Sequence, residues 1–349
     1  MGSGIPTTIP RPPVRLAIVG DCMLGRGVDQ MLHRQSPEYP WGDTISLFHS
    51  ADARICNLEC VLSDRGAPWS EYPKEFHFRS AAKNVAVLSA AGINAVSIAN
   101  NHALDYGYQA LLDMIQVLDG AQIAHSGAGA NLAGASQIAT FEARGRRIGL
   151  VAFTDNEPPW EATPNRPGTF YVPADLQDQR ARNLLELIRS RTQVDTLIAS
   201  AHWGGNWGYP ASPEHVQLAH ALIDAGASIV FGHSSHVFRG IEFYKKGVIL
   251  YGVGDFIDDY AVDPIERNDQ SFIFLVEVGA EGPERVRLYP TTISYCQAHR
   301  ATQAEAPGIA AKMKKLCADL GTPARWDAEE QHLEITVTSA EMNPTYGRR

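Results

Sequence analysis

Several short apolar runs in this 349-residue chain end on a carboxylate, an amide or an imidazole. Asp21 follows Ile18-Val19-Gly20, and Glu59 follows Ile55-Cys56-Asn57-Leu58. Asn100, Asn101 and His102 follow Ala95-Val96-Ser97-Ile98-Ala99, and His202 follows Leu197-Ile198-Ala199-Ser200-Ala201. His233 and His236 come three residues apart after Ile229-Val230-Phe231-Gly232, and a run from Val248 to Val253 breaks at Gly254 to deliver Asp255. Strand ends that open into loops are where α/β sheets present chemistry at their carboxyl edge. Asp21, Glu59, Asn100 or Asn101, His102, His202, His233 and His236 therefore read as one polar site assembled across a sheet. Carboxylates, an amide carbonyl and neutral imidazoles are ligand types for divalent cations of intermediate to hard character. No thiolate cluster competes for the role. Cys22, Cys56, Cys60, Cys296 and Cys317 are scattered, odd in number and without CxxC spacing, as expected of small buried residues in a reducing compartment.

A second kind of chemistry is carried by His102 and Asp105. With a helix opening near Ala103, Asp105 lies in its first turn and can accept a hydrogen bond from one ring nitrogen of His102. That fixes the tautomer and leaves the other nitrogen basic, as acid–base catalysis needs. A carboxylate there also suits a helix N-terminus. Asp255, Asp258 and Asp259 form a second acidic group; Asp255, directly after Gly254, can orient His233 or His236 in the same way, while Asp258 and Asp259 equally suit a solvated surface.

Strands over Val14–Gly20, Arg54–Leu58 and Ile93–Ala99 must position the first group of residues, and helices over Ala81–Ala91 and Asp105–Leu118 follow from apolar spacing and a stop at Gly92. A helix over Pro213–Ala225 ends at Gly226, and the last third has hairpin-like strands over Gly240–Tyr244, Val248–Tyr251, Ser271–Val278 and Arg285–Ile293, then a helix over Ile309–Leu320. Ser63–Arg79 is irregular, contains Trp69 and Tyr72, and reads as a lid or binding loop. Trp203, Trp207 and Tyr209 lie in the Gly-rich stretch after strand five. Trp69, Tyr72, Trp203 and Trp207 are the candidate substrate-binding residues, where an indole or peptide tail could stack; each could instead seal the core. The organisation predicted is an irregular lead-in over residues 1–13, one layered α/β domain over 14–338, and a frayed tail over 339–349.

The net charge of −9 supplies no basic field for nucleic acid or an anionic membrane. No apolar run approaches the roughly 20 residues of a spanning helix, and the N-terminus has no signal-peptide core. These features predict a cytoplasmic protein without nucleic-acid or membrane partners.

GDCMLGR, NLECVLSD, SIANNHALDYG, AHWG and GHSSHVFRGIEFYKKGVILYGVGDFIDD, in that order, resemble the motif series of the poly-γ-glutamate capsule-biosynthesis family (CapA/PgsA type). The similarity spans roughly Val14 to Ile293. It implies the calcineurin-like metallophosphoesterase fold, a four-layer αββα sandwich with mixed β-sheets. By resemblance, Asp21, Glu59, Asn101, His202, His233 and His236 match metal-site positions, and His102 with Asp105 matches the catalytic pair. The chain departs from the two-metal pattern: Asp-x-His becomes Asp21-Cys22-Met23, Gly-His-x-His stretches to Gly232-His233-Ser234-Ser235-His236, and Glu59 replaces a bridging Asp. One oxygen-rich site for a divalent metal ion, with Ca²⁺ favoured and Mn²⁺ as the second choice, suits this set.

The chain also resembles a soluble branch, the lasso-peptide epimerases, which invert the Cα of a precursor peptide's C-terminal tryptophan. That resemblance implies a metal-dependent peptide epimerase with a precursor peptide as substrate. His102 with Asp105 would serve one face, and His233 or His236 with Asp255 the other. A metal-dependent phosphoester or amide hydrolase and a non-catalytic protein of poly-γ-glutamate synthesis or export are the alternatives.

Overall fold

The computed structural model describes residues 12–191 and 193–337. Most of the expected lead-in and the whole of the tail from 339 lie outside the described residues.

Two large mixed sheets face one another. One runs Arg325–Asp327, His332–Thr336, Pro283–Ser294, Gln270–Val278, Val14–Cys22, Ala53–Leu58, Ala95–Ser97 and Ala124–Ser126, with Asp255–Ile257 also pairing on Val14–Cys22. The other runs Ile241–Tyr244, Gly247–Leu250, Ile229–His233, Thr196–His202, Arg146–Thr154 and Ala139–Ala143. Strand side chains alternate between faces, and here both faces are apolar, which dictates the layering. Leu16 and Ile18 point into the space between the sheets, where they meet Ile148, Leu150, Ile198 and Phe231. Ala17 and Val19 point outward, onto a layer containing Leu111, Met114 and Leu118 of the helix Gly107–Gly120. In the second sheet Val151, Phe153, Leu197 and Ala199 point outward onto Leu184, Ile188, Leu218 and Leu222 of Gln179–Ser190 and Pro213–Ala225. The result is the four-layer αββα sandwich with mixed sheets that the sequence implies.

Local chemistry sets the element ends. Ser212 accepts from the His215 N–H, Pro213 occupies the first helical turn, and Gly226 at φ 113° stops the helix. The helix expected from Ala103 or Asp105 begins later, at Gly107. Asp105 is therefore a turn residue ahead of the helix, and its carboxylate is free of any capping duty. Among the described residues no helix is long and apolar enough to cross a membrane.

Candidate metal and acid–base site

Parallel pairing brings the strand ends into register. Asp21 lies beside Asn57 on one side and Asp255 on the other. In the facing sheet His202 pairs with His233 and Thr154. The strand carrying Asp21 approaches the Asp255 segment so closely that a Cβ on Gly20 would lie 1.7 Å from the Gly254 carbonyl oxygen. Gly254 itself has φ +73°, a conformation natural to glycine. Ser234 also holds a positive φ of 93°, and its N–H donates to Asp21 Oδ2 at 3.4 Å. Strain of this kind persists where surrounding structure over-determines it, and it collects at functional sites.

Asp21, His202 and His233 each offer a ligand atom within a mutual 4.8 Å, and so do Asp21, Glu59 and Asp255. The two groups share Asp21. His202 Nδ1 and His233 Nδ1 are 2.8 Å apart, and Asp21 Oδ1 is 3.8 Å from the latter. His202 Nε2 meets Asn101 Oδ1 at 3.0 Å and lies 3.8 Å from Glu59 Oε1. His233 Nε2 meets the Ser200 hydroxyl at 2.8 Å. Glu59 Oε2 and Asp255 Oδ2 are buried with no hydrogen-bond partner. Orphaned buried carboxylate oxygens are costly unless protonated or bound to a cation. Burial pushes the Asp21 carboxyl up to about 7 and raises Glu59 and Asp255 well above the carboxylate range. Burial likewise drives His233 down to about 3 and His202 well below its ordinary value. Neutral imidazoles beside crowded, protonatable carboxylates are a donor set that fits a divalent cation.

The two His–Asp contacts lie against this cluster. His102 Nδ1 donates to Asp105 Oδ2 at 2.6 Å, and the same oxygen accepts from the Phe78 N–H at 2.6 Å. The imidazole stacks on Phe78, with ring centroids 3.9 Å apart. Burial lowers the His102 pKa against the opposing pull of Asp105. His236 Nδ1 meets Asp255 Oδ1 at 3.0 Å, its backbone N–H donates to Asn206 O, and Trp207 and Tyr260 rings abut it edge-on. His236 was expected both as a ligand and as an acid–base group; it falls in neither ligand group above. His102 and His236 line one cavity of about 560 Å³, together with Glu59, Asn101, Lys74 and Trp207.

Of the aromatics expected at the substrate, only Trp207 lines that cavity. Trp203 corrects the expectation: it is fully buried, donates to Tyr251 O and packs on Phe153 and His215. Trp69 is buried edge-on against Trp160, Tyr72 and Tyr108. Tyr72 donates to Glu157 Oε2 at 2.6 Å and ties the Ser63–Arg79 loop down. Tyr209 donates to Glu266 O, away from the cavity.

Two contributors escape a reading of the sequence. Asn57 donates to Asp21 Oδ1 at 2.8 Å and accepts from Asn100, which makes Asn100 a brace behind Asn101. Its place two residues before Glu59, on the same strand face by period-2 alternation, was the available signal. Lys74 donates to Asn101 O at 2.8 Å and lies 3.6 Å from Asp105 and 3.3 Å from Glu157. It comes from an irregular loop, where no periodicity marks it.

Residues 15–260 match the family described as "Bacterial capsule synthesis protein PGA_cap". The chain is 32% identical over 336 residues to a "Probable polyglutamine synthesis accessory protein" of Mycobacterium tuberculosis, covering 84% of this chain and 88% of that one. It is 26% identical over 327 residues to "Capsule biosynthesis protein CapA" of Bacillus anthracis, covering 92% and 77%. A solved structure of a hypothetical protein from Thermus thermophilus aligns with a TM-score of 0.44 and 16% identity, over 82% of this chain and 96% of that one.

Proposed function

The chain belongs to the bacterial capsule synthesis protein (PGA_cap) family, and from that premise we propose that it is a metal-dependent acid–base enzyme acting on an amide-linked chain, with hydrolysis as its first reading. The observation that carries this is the juxtaposition of a buried carboxylate–imidazole cluster with His102, whose Nδ1 is committed to Asp105. Relatives named for capsule and polyglutamine synthesis supply the amide-linked class of substrate.

Asp21, Glu59, Asp255, His202 and His233 would hold the cation, with Asn101 at their edge. Two imidazole nitrogens in the set favour Mn²⁺ over the Ca²⁺ that carboxylates alone would suggest. A bound divalent ion would supply Lewis-acid charge at a carbonyl or phosphoryl oxygen. The chain's own residues do the proton work. With Nδ1–H donating to Asp105, the His102 Nε2 lone pair can take a proton from water, or in protonated form return one to a leaving amine. Phe78 holds the ring plane, and Lys74 holds Asp105 and the Asn101 carbonyl in place.

A second reading, a peptide epimerase, draws on one specific observation: a second imidazole, His236, lines the same cavity and meets the buried Asp255 carboxylate behind it. Removal of a Cα proton by one imidazole and return of a proton by the other would invert the centre. One experiment separates the readings. Mn²⁺-loaded protein is incubated in D₂O with peptides, γ-glutamyl oligomers and simple phosphoesters, and products are weighed by mass spectrometry. Cleavage of an amide supports the first reading. An intact peptide that gains one mass unit supports the second. Cleavage of phosphoesters alone would move the substrate class, and no turnover of any probe would overturn the enzyme assignment.

A further inference from the structure

Residues other than glycine seldom hold a positive φ, because the β-carbon then crowds the backbone, and strain of this kind gathers at functional sites. Two such residues line the cavity described above: Glu157 at φ +51° and Arg26 at φ +52°. They differ in what their charges meet. Glu157 is taken up by Tyr72 and Lys74, and Lys74, the other cation of the cavity wall, is shared between Glu157 and Asp105. Arg26 has one ion pair, with Asp259, which approaches its Nε to 3.3 Å. That contact lacks the alignment of a hydrogen bond: Asp259 Oδ1 has no hydrogen-bond partner, and Oδ2 accepts from the Gly27 N–H at 2.8 Å. Among the described residues, no acceptor is hydrogen-bonded to any of the five N–H groups of the Arg26 guanidinium. Phe76, Phe78 and Tyr260, all on the cavity wall, instead present their rings to its central carbon at 5.9, 5.6 and 5.9 Å. The rings hold the group in place without using its donors.

We propose that Arg26 recognises a carboxylate of the substrate chain close to the reacting bond, and so restricts the enzyme to carboxylate-bearing amide chains. This rests on the reading of that cavity as the active site. A carboxylate takes the two terminal nitrogens of a guanidinium side by side, a pairing that matches arginine's planar fork. Asp259 approaches the Nε edge, which leaves the terminal edge to a ligand. The Arg26 side chain is 40% exposed, so its pair with Asp259 is screened by water and offsets the guanidinium charge only in part. Phe78 sets the reach, because its ring centre lies 3.9 Å from the His102 ring and 5.6 Å from the Arg26 guanidinium carbon. The imidazole and the guanidinium are therefore within ~10 Å of one another, the length of about three extended residues. The recognised carboxylate lies along the chain at that distance from the reacting amide, or ends the chain there.

The test reads fluorescence anisotropy on Mn²⁺-loaded protein with two pairs of fluorescein-labelled hexapeptides. An alanine hexamer with a free C-terminus is paired with its C-terminal amide. A γ-linked glutamate hexamer, its terminal γ-carboxyl amidated, is paired with the same chain carrying α-carboxamides. The first pair reads a carboxylate at the chain end, and the second reads carboxylates along the chain. Arg26→Asn and Arg26→Gly both remove the cation, and both residues accept the positive φ at this position. Wild type should bind the acid of at least one pair at least tenfold more tightly than its amide, a difference of ~1.4 kcal/mol. Both substitutions should abolish that preference and leave the affinity of the amide within about twofold. No acid preference in either pair, a preference that survives both substitutions, or equal weakening of acid and amide would each overturn the proposal; the last would make Arg26 a prop of the cavity wall. Mn²⁺ uptake on the same samples separates this failure from that of the proposed function. Uptake by wild type without acid preference overturns the role of Arg26 alone, and no uptake overturns the reading of the cavity as a metal-dependent active site.

Discussion

Stripping cations from this protein should make its stability depend on pH in an unusual direction, and adding one should weaken the dependence. Four carboxyls are held high by burial: Asp21 and Asp258 at about 7, Glu59 and Asp255 well above the usual range. Four imidazoles are held low for the same reason: His102, His202, His236, and His233 at about 3. Between about pH 4 and 6.5 the unfolded chain has released the carboxyl protons but still binds those of the imidazoles, so the two sets oppose one another. Above 6.5 the unfolded imidazoles are neutral and only the carboxyls matter. There the folded state holds protons that the unfolded state lacks, so stability must fall as pH rises. At pH 7 Asp21 and Asp258 are each half ionised and together hold about one extra proton, a slope of ~1.4 kcal/mol per pH unit. Glu59 and Asp255 add to it. Between pH 6.5 and 7.5 the metal-free melting temperature should drop by about 2 °C from Asp21 and Asp258 alone and about 6 °C with Glu59 and Asp255. A cation at a hundredfold excess over its Kd displaces the protons of Asp21, Glu59 and Asp255 and adds ~2.7 kcal/mol, or about 4 °C for a domain of this size. Differential scanning fluorimetry of chelator-treated protein, with and without Mn²⁺, reads both effects. A metal-free melting temperature that rises from pH 6.5 to 7.5, unmoved by Mn²⁺ or Ca²⁺, would show that these buried carboxyls neither hold protons in the folded state nor bind a cation.

Other substitutions test separate parts of the site. Asp105→Asn keeps the shape but can present an amide N–H where His102 needs an acceptor, so turnover should fall ~10²–10⁴-fold with little change in melting; parental activity would reduce Asp105 to a loop tether for the Phe78 N–H. Trp203→Ala opens a cavity in a filled core and should cost ~3–5 kcal/mol in denaturant unfolding, whereas Trp207→Ala should leave stability nearly intact and weaken substrate binding. The reverse pattern would exchange their roles. Gly20→Ala forces a methyl onto the Gly254 carbonyl, so Asp21 and Asp255 must separate; calorimetry should show weakened Mn²⁺ binding, and unchanged affinity would disconnect that contact from the cluster.

Much of the site could be read from sequence because parallel strands place their chemistry at one edge, and an apolar run that gives way to a polar residue marks that edge. Asp21, His233 and Asp255 stood out after a glycine, and Glu59 and His202 directly after the run. Sequence order does not reveal which ends become neighbours. The pairing of Asp21 with Asp255 and of His202 with His233 comes from sheet register, set by packing over many residues. Asn57 was hidden inside an apolar strand and Lys74 inside a loop without period. Trp203 and Trp207 look alike beside their glycines. Their opposite fates follow from Trp203 standing directly after the strand Thr196–His202, where the core continues, and from Trp207 lying at the far end of the turn. The final hairpin, Arg325–Asp327 with His332–Thr336, was missed because its residues are mostly polar and its inward side chains few.

The proposed chemistry needs a cation where the two sheets bring their polar ends together. Anomalous diffraction at the manganese edge, from crystals soaked in Mn²⁺, locates that ion without reference to any substrate. A peak bounded by Asp21, His202 and His233, with Glu59 or Asp255 completing its shell, is the predicted result. A second peak nearby would mean that Asp21 bridges two ions. Manganese found only at surface carboxylates, with the cluster still empty at saturating concentration, would mean that Asp21, His202 and His233 do not form a metal site.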